Sequence, residues 1–216
     1  MIQLYSDSRC SFSHRARIIL NKKDMEFKII DVNTGIRSDL MILNPYNETP
    51  VLVDDIDKND KKKNLILIEP SIICEYIDER FPHPQFMPME PSEKSRLRML
   101  IFYFDKELFI HLRVLDSLNY KDSKSKKEIE RIKKLIISGI DGVSQMFQKN
   151  RNIKYLFGSS FTLLDAAVLP LLWRLQYYEI DEKPSWAGML DYANYHFSQI
   201  NFINSLTPAE RGMMNV

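Results

Sequence analysis

Two prolines bracketing one histidine, Pro82-His83-Pro84, divide this chain into halves of different texture. Upstream of them, Ile72, Ile73, Tyr76 and Ile77 recur at helical spacing. The helix this predicts has to end there, because each proline drives the residue before it out of the α region. With φ fixed at two positions, residues 81–84 are expected to follow a stiff, extended, polyproline-like path. A segment of that kind has little backbone entropy left to lose when a partner docks on it. The plainer alternative is a solvated inter-domain linker.

Before the prolines, strand and helix signals alternate. Ile2–Tyr5 reads as a strand and Ser6–Ser11 as a polar loop. A helix follows, with Ala16, Ile18, Ile19 and Leu20 facing inward and Arg15, Arg17, Lys22 and Lys23 outward. Glu26–Val32 reads as a second strand, and residues 33–44 as a loop with a short helix around Leu40, Ile42 and Leu43. A turn at Asn44–Pro50 feeds a strand at Val51–Val53. Asp54–Asn64, with Lys61, Lys62 and Lys63, reads as an exposed hairpin tip, and Leu65–Ile68 as the returning strand. Pro70 suits the first turn of the next helix, where its missing N–H costs nothing. This βαβ-then-ββα order predicts a parallel pair followed by an antiparallel hairpin, the thioredoxin-like arrangement.

After Pro91 no comparable strand signal appears. Ser92 is expected to cap a long helix carrying Leu97, Leu100, Ile101, Phe104 and Leu108 on one face. The charge-rich stretch Lys121–Lys134 reads as the solvated start of a second helix reaching about Phe147. Thr162-Leu163-Leu164-Asp165 has capping-box spacing and opens a helix that is apolar nearly all round, the expected core of this half. Further helices are expected near 185–199 and 200–206. The expected organisation is an α/β thioredoxin-like domain at 1–81, a linker at 82–91 and an all-α domain at 92–216.

Charge and cysteine usage narrow the function classes. Lys plus Arg number 30 against 29 Asp plus Glu, so no basic face is expected and direct sequence-specific nucleic-acid binding is not. Cys10 and Cys74 make no disulfide framework, and Met1–Tyr5 lacks the basic start and apolar run of a signal peptide. Both features point to a reduced cytosolic setting. The longest apolar stretch, Ala166–Trp173, is short and interrupted by Pro170, so no membrane span is expected. His14, His83, His111 and His196 show no metal-ligand spacing, and no glycine-rich phosphate loop is present, so no cofactor is expected.

Cys10 is the sharpest enzymatic candidate. It precedes a helix N-terminus beside Arg9 and near Arg15, a setting that lowers a thiol pKa and favours the nucleophilic thiolate. The alternative is a cysteine that merely falls in that loop. His14 is expected on the surface or in packing, Cys74 as a small buried hydrophobe, and Trp173 and Trp186 in the core or at a domain contact.

Several stretches resemble known families. Thr49-Pro50-Val51-Leu52, Glu69-Pro70-Ser71 and the Thr162/Asp165 cap resemble, in turn, the cis-proline turn, the Glu-Ser pair and the N-capping box of the glutathione transferase fold. Glu75-Tyr76-Ile77-Asp78-Glu79-Arg80-Phe81-Pro82-His83-Pro84, then Met87-Pro88, more closely resembles stringent starvation protein A, a bacterial branch of that fold. Ser13–Leu20, Leu171–Leu175 and Ser205–Arg211 are similar to the same branch. The resemblance implies a cytoplasmic stress-response regulator of transcription that lacks transferase activity and associates with bacterial RNA polymerase holoenzyme, sigma factor being a candidate contact. It also implies a homodimer or a heterodimer with a paralogue, and makes Pro82, His83 and Pro84 the partner-binding residues of a surface pocket. Glu90 stands where members tend to carry Tyr. Cys10, Ser13, Pro50 and Glu69 are then remnants of a glutathione site. That site is weakened at Pro70, which stands in the Ser position and offers neither hydroxyl nor N–H. The competing resemblance, to omega-type transferases, implies a glutathione-dependent thiol transferase or dehydroascorbate-type reductase using Cys10.

Overall fold

In a computed structural model, which describes residues 1–34, 37–56, 64–117, 126–148 and 153–214, four strands form one mixed sheet. They are β1 (Ile2–Ser6), β2 (Phe27–Asp31), β3 (Val51–Asp54) and β4 (Leu65–Leu67), ordered β2-β1-β3-β4. β1 and β2 are parallel, with Leu4 opposite Ile29, as a crossover through helix α1 (Ser11–Lys22) requires. β3 runs antiparallel to both β1 and β4, pairing Leu52 with Leu4 on one side and Leu67 on the other. Most of the expected hairpin tip, including Lys61–Lys63, lies outside the described residues.

β3 feeds both faces of the sheet, because successive side chains point opposite ways. Leu52 joins the main core, while Val51 joins Val32 and Leu40 in a smaller cluster on the face covered by the short helix α2 (Arg37–Leu43). A cis Thr49–Pro50 peptide leads into β3, at the turn expected there. Helix α3 (Pro70–Arg80) has Glu69 as its N-cap residue and Pro70 in its first turn.

The helical half differs in detail from its expectation. Its first helix, α4 (Pro91–Phe104), is capped by Glu90, whose carboxylate accepts from the Glu93 N–H at 2.9 Å; Ser92 donates to that same carboxylate and is not the cap. The long helix is not continuous. A π-helical turn at Asp105–Phe109 separates α4 from α5 (Ile110–Ser117), where the Asp105 carboxylate receives Arg15 and Ser71. Leu97, Ile101, Phe104 and Leu108 are buried, as their spacing predicts. Then come α6 (Lys126–Gln148), α7 (Leu163–Trp173), α8 (Ala187–Phe197), α9 (Ile200–Ser205) and α10 (Pro208–Arg211). Residues 121–125 of the expected second helix lie outside the described set.

Every residue of α7 is buried, and each Leu or Val placed there contributes roughly 1.5–3 kcal/mol relative to exposure. The capping box forms: Asp165 accepts from the Thr162 N–H at 2.7 Å. The same carboxylate also takes the Leu156 N–H and the Tyr192 hydroxyl, both at 2.9 Å. Trp186 is fully buried and Trp173 nearly so.

One expectation for α1 is overturned. Arg15, Arg17 and Lys23 are buried, not solvent-facing. α7 and α9 pack on α1 from the helical half while α3 packs from its own, leaving little of the helix open to water. Its charges survive because each meets an acceptor. Arg15 pairs with Asp105, Arg17 with Glu210, and Lys23 with Asp78. Among the described residues, no helix is long and apolar enough to cross a membrane, and no group of His, Cys, Asp and Glu could hold a metal ion.

Candidate functional site

Cys10 is the N-cap residue of α1 and half-buried, with its sulfur 3.5 Å from the Ser13 N–H and 3.6 Å from the Thr49 carbonyl oxygen. It lines a cleft of about 430 Å³ together with Arg9, Thr49, Arg113 and Asp116. The thiol is not activated. Burial pushes its pKa up, the Asp116 carboxylate pushes it further, and the hydrogen bonds from the α1 terminus do not compensate. The expectation of a lowered pKa fails because the sequence revealed neither the burial of the thiol nor the nearby Asp116. That carboxylate comes from α5 and accepts from both the N–H and the hydroxyl of Ser11, so an anion already occupies the first turn of α1. Tyr178 donates to its other oxygen.

Of the remaining remnants, Ser13 and Pro50 lie beside Cys10 and Glu69 does not. Pro50 is buried in the cis turn beside Thr49. The Ser13 hydroxyl is buried with no hydrogen-bond partner among the described residues. Glu69 lines a different cavity, of about 530 Å³, with Arg15, Ser71, Arg98 and Asp105. There the Ser71 hydroxyl donates to Asp105 at 2.9 Å and lies 3.3 Å from Arg15 Nη1. It is engaged away from the position that Pro70 leaves without a donor.

The Cys10 loop is braced by two residues from stretches that the sequence singled out only for their resemblance. Arg174 donates to the Arg9 carbonyl at 3.0 Å, and Thr207 donates to the Ser8 carbonyl at 2.7 Å. Behind them lies a buried charge network. Glu210 binds Arg17 through both oxygens, at 2.7 and 2.6 Å, and also receives Arg174. Burial pushes Glu210 up, but the surrounding Arg17 and Arg174, joined by His14 once acid protonates it, outweigh it and bring its pKa to about 2. His14 is fully buried, and burial lowers its pKa to about 3. Arg174 donates to its Nδ1 at 3.1 Å, so the neutral ring carries its proton on Nε2, facing Ser205 Oγ at 3.1 Å. His14 is thus a packing residue.

Pro82, His83 and Pro84 are all exposed. They wall neither of the two cavities. The path is not the extended one expected. The chain bends at residues 81, 83 and 84, and His83–Pro84 is cis. Two buried residues tie the segment down. Lys23 Nζ donates to the carbonyls of Phe81, at 2.6 Å, and Pro84, at 2.5 Å, and to Asp78 at 2.6 Å. Asp78 in turn accepts the N–H groups of Phe86 and Met87, both at 2.8 Å.

Comparison with known proteins agrees with the fold. The family model described as "Glutathione S-transferase, N-terminal domain" matches residues 4–85, and "Glutathione S-transferase, C-terminal domain" matches 126–196. A stringent starvation protein A homologue from Coxiella burnetii is 30% identical over 218 positions, covering 100% of this chain and 96% of the relative. A glutathione S-transferase omega-2 from Rattus norvegicus is 25% identical, covering 88% of this chain and 72% of its own length. Among solved structures, Ure2p in complex with glutathione matches with a TM-score of 0.79 at 17% identity, over 95% of this chain and 98% of that one.

Proposed function

The chain belongs to the stringent starvation protein A family, on the glutathione S-transferase fold, and from that premise we propose that it regulates transcription by associating with bacterial RNA polymerase holoenzyme. Pro82, His83 and Pro84 are the contact residues, with sigma factor among the candidate surfaces. The observation that carries this reading is an exposed histidine between prolines whose flanking backbone is anchored at Phe81, Pro84, Phe86 and Met87. The protein works in the cytoplasm as a dimer with a copy of itself or a paralogue, and it lacks transferase activity. Support for the last point is chemical: the Cys10 thiol is raised, Asp116 sits on the α1 terminus, and Pro70 offers no donor to a γ-glutamyl carboxylate.

Replacing Pro82, His83 and Pro84 together by Ala tests the proposal. Interface anchors contribute about 2 kcal/mol or more. Holoenzyme binding is therefore expected to weaken at least roughly tenfold, and in vitro transcription to change with it. The melting temperature should stay close to wild type, since no core side chain is touched. Unchanged binding by the folded triple variant would overturn the reading.

The second reading, a thiol transferase or dehydroascorbate-type reductase, has one observation in its favour: Cys10 faces a cleft from the N-cap of α1. A glutathione-dependent thiol-transfer assay separates the two.

A further inference from the structure

The anchoring of the Pro82–Pro84 segment has an unusual economy. A single buried ammonium takes the two carbonyls that bracket Pro82 and His83, and its carboxylate partner takes the N–H groups of Phe86 and Met87. Pro82, His83 and Pro84 carry no such tie through their side chains, which stay exposed. Backbone held and side chains free is the arrangement that recognition favours, because docking then orders nothing new.

A buried Lys–Asp pair could instead serve only to join α1 to α3, and two features argue against that. The pair alone would satisfy the charges, yet all three donors of Lys23 are spent and two go to residues beyond the end of α3. Lys23 also sits 4.3 Å from the centroid of the Phe86 ring, and the Phe86 carbonyl accepts from the Leu163 N–H at the start of α7 at 3.3 Å. The segment is thereby fixed against both halves of the molecule.

We propose that Lys23 and Asp78 are positioning residues for partner binding, holding residues 81–87 in the shape that presents His83. This rests on the partner-binding reading above. Losing the clamp would let the segment sample other shapes, and apparent affinity falls by the fraction left competent.

The test measures binding to purified RNA polymerase holoenzyme for Lys23→Gln, Lys23→Arg, Asp78→Asn and the Pro82/His83/Pro84 triple Ala variant. Amide hydrogen exchange is followed in parallel at Phe86, Met87 and α7. Lys23→Gln is expected to bind roughly tenfold or more weakly, and Lys23→Arg, which keeps the charge, to recover part of that loss. Exchange should accelerate at Phe86 and Met87 but not in α7. Breaking a buried pair is a severe change, so the near-isosteric Asp78→Asn guards against plain unfolding. If Lys23→Gln and Asp78→Asn loosen Phe86 and Met87 yet bind like wild type, while the triple variant fails to bind, the positioning role falls and the partner-binding reading stands. If exchange rises equally in α7 for both variants, the pair is general structural support and the proposal is overturned. Full binding by the triple variant removes the reading and the proposal together.

Discussion

The Asp116 carboxylate accepts from Ser11 twice, from its N–H at 3.2 Å and from its hydroxyl at 2.9 Å. The positive end of α1 is therefore spent on a side chain of α5, and the Cys10 thiol one residue earlier gains little from it. Cys10 is expected to react slowly with iodoacetamide near neutral pH. Asp116→Asn removes the anion, keeps an acceptor for Ser11 and should speed the reaction, with the rate rising at lower pH than in wild type. Cys74 will not confuse the measurement, because burial raises its pKa to about 12. Mass spectrometry of the two peptides against time checks this, and a wild-type Cys10 that alkylates rapidly at pH ~6 would contradict it.

Glutathione should bind weakly or not at all. Pro70 withholds a hydroxyl and an N–H where a charged carboxylate would sit, and a hydrogen bond to a charged group contributes about 1.5–3 kcal/mol. Pro70→Ser is expected to strengthen binding by roughly ten- to a hundredfold. Calorimetry at millimolar glutathione reads both, and micromolar binding by wild type would reverse the argument.

Stability should fall with acid well before the carboxylates titrate. Burial lowers His14 from 6.5 to about 3 and His196 from 6.5 to about 4. Below about pH 6.5 the unfolded chain takes up protons that the folded chain refuses. The contribution is complete above that pH and shrinks as pH drops toward the folded values, by about 1.4 kcal/mol per unit for each histidine. Glu210 adds a second loss below its ordinary value of 4.5, as pH approaches its folded value of about 2. Thermal melts from pH ~7.5 to ~5 should show a plateau above about pH 6.5 and a decline below it, and His14→Gln should flatten that decline. A flat profile would mean that these rings titrate freely.

Much of this was legible beforehand. Strand order, the α7 cap and the buried face of α4 followed from apolar spacing and capping chemistry, which act within a few residues. Arg15, Arg17 and Lys23 were misplaced for the converse reason. A basic residue on a helix reads as solvated unless its acceptor is known, and Asp105, Glu210 and Asp78 lie 90, 193 and 55 residues away. Cys10 failed the same way, the burial that raises its thiol and the Asp116 carboxylate on α5 both being products of the fold. The Pro-His-Pro segment was visible as an element, but its bends were not, since the Lys23 ammonium that meets its carbonyls comes from 58 and 61 residues away.

Assembly is open to the same kind of test. Met99, Phe102 and Tyr103 are 52%, 60% and 53% exposed on α4, and neighbouring exposed apolar side chains of this kind can mark a protein contact. A two-fold dimer covering them should scatter light as twice 25.5 kDa. Phe102→Glu is expected to yield monomer without loss of helicity. A wild-type monomer at micromolar concentration would count against the dimer.

The pairing of Arg17 with Glu210 also imposes an order on synthesis. The guanidinium is made 193 residues before its carboxylate. At about 5–20 residues per second that interval is roughly 10–40 s. Throughout it, the nascent first half holds a cation that the finished fold buries against Glu210, so α1 is expected to settle only once the turn bearing Glu210 has left the ribosome. Ribosome-bound chains stopped short of Glu210 should therefore remain protease-sensitive around α1, though every strand of the sheet has already been made.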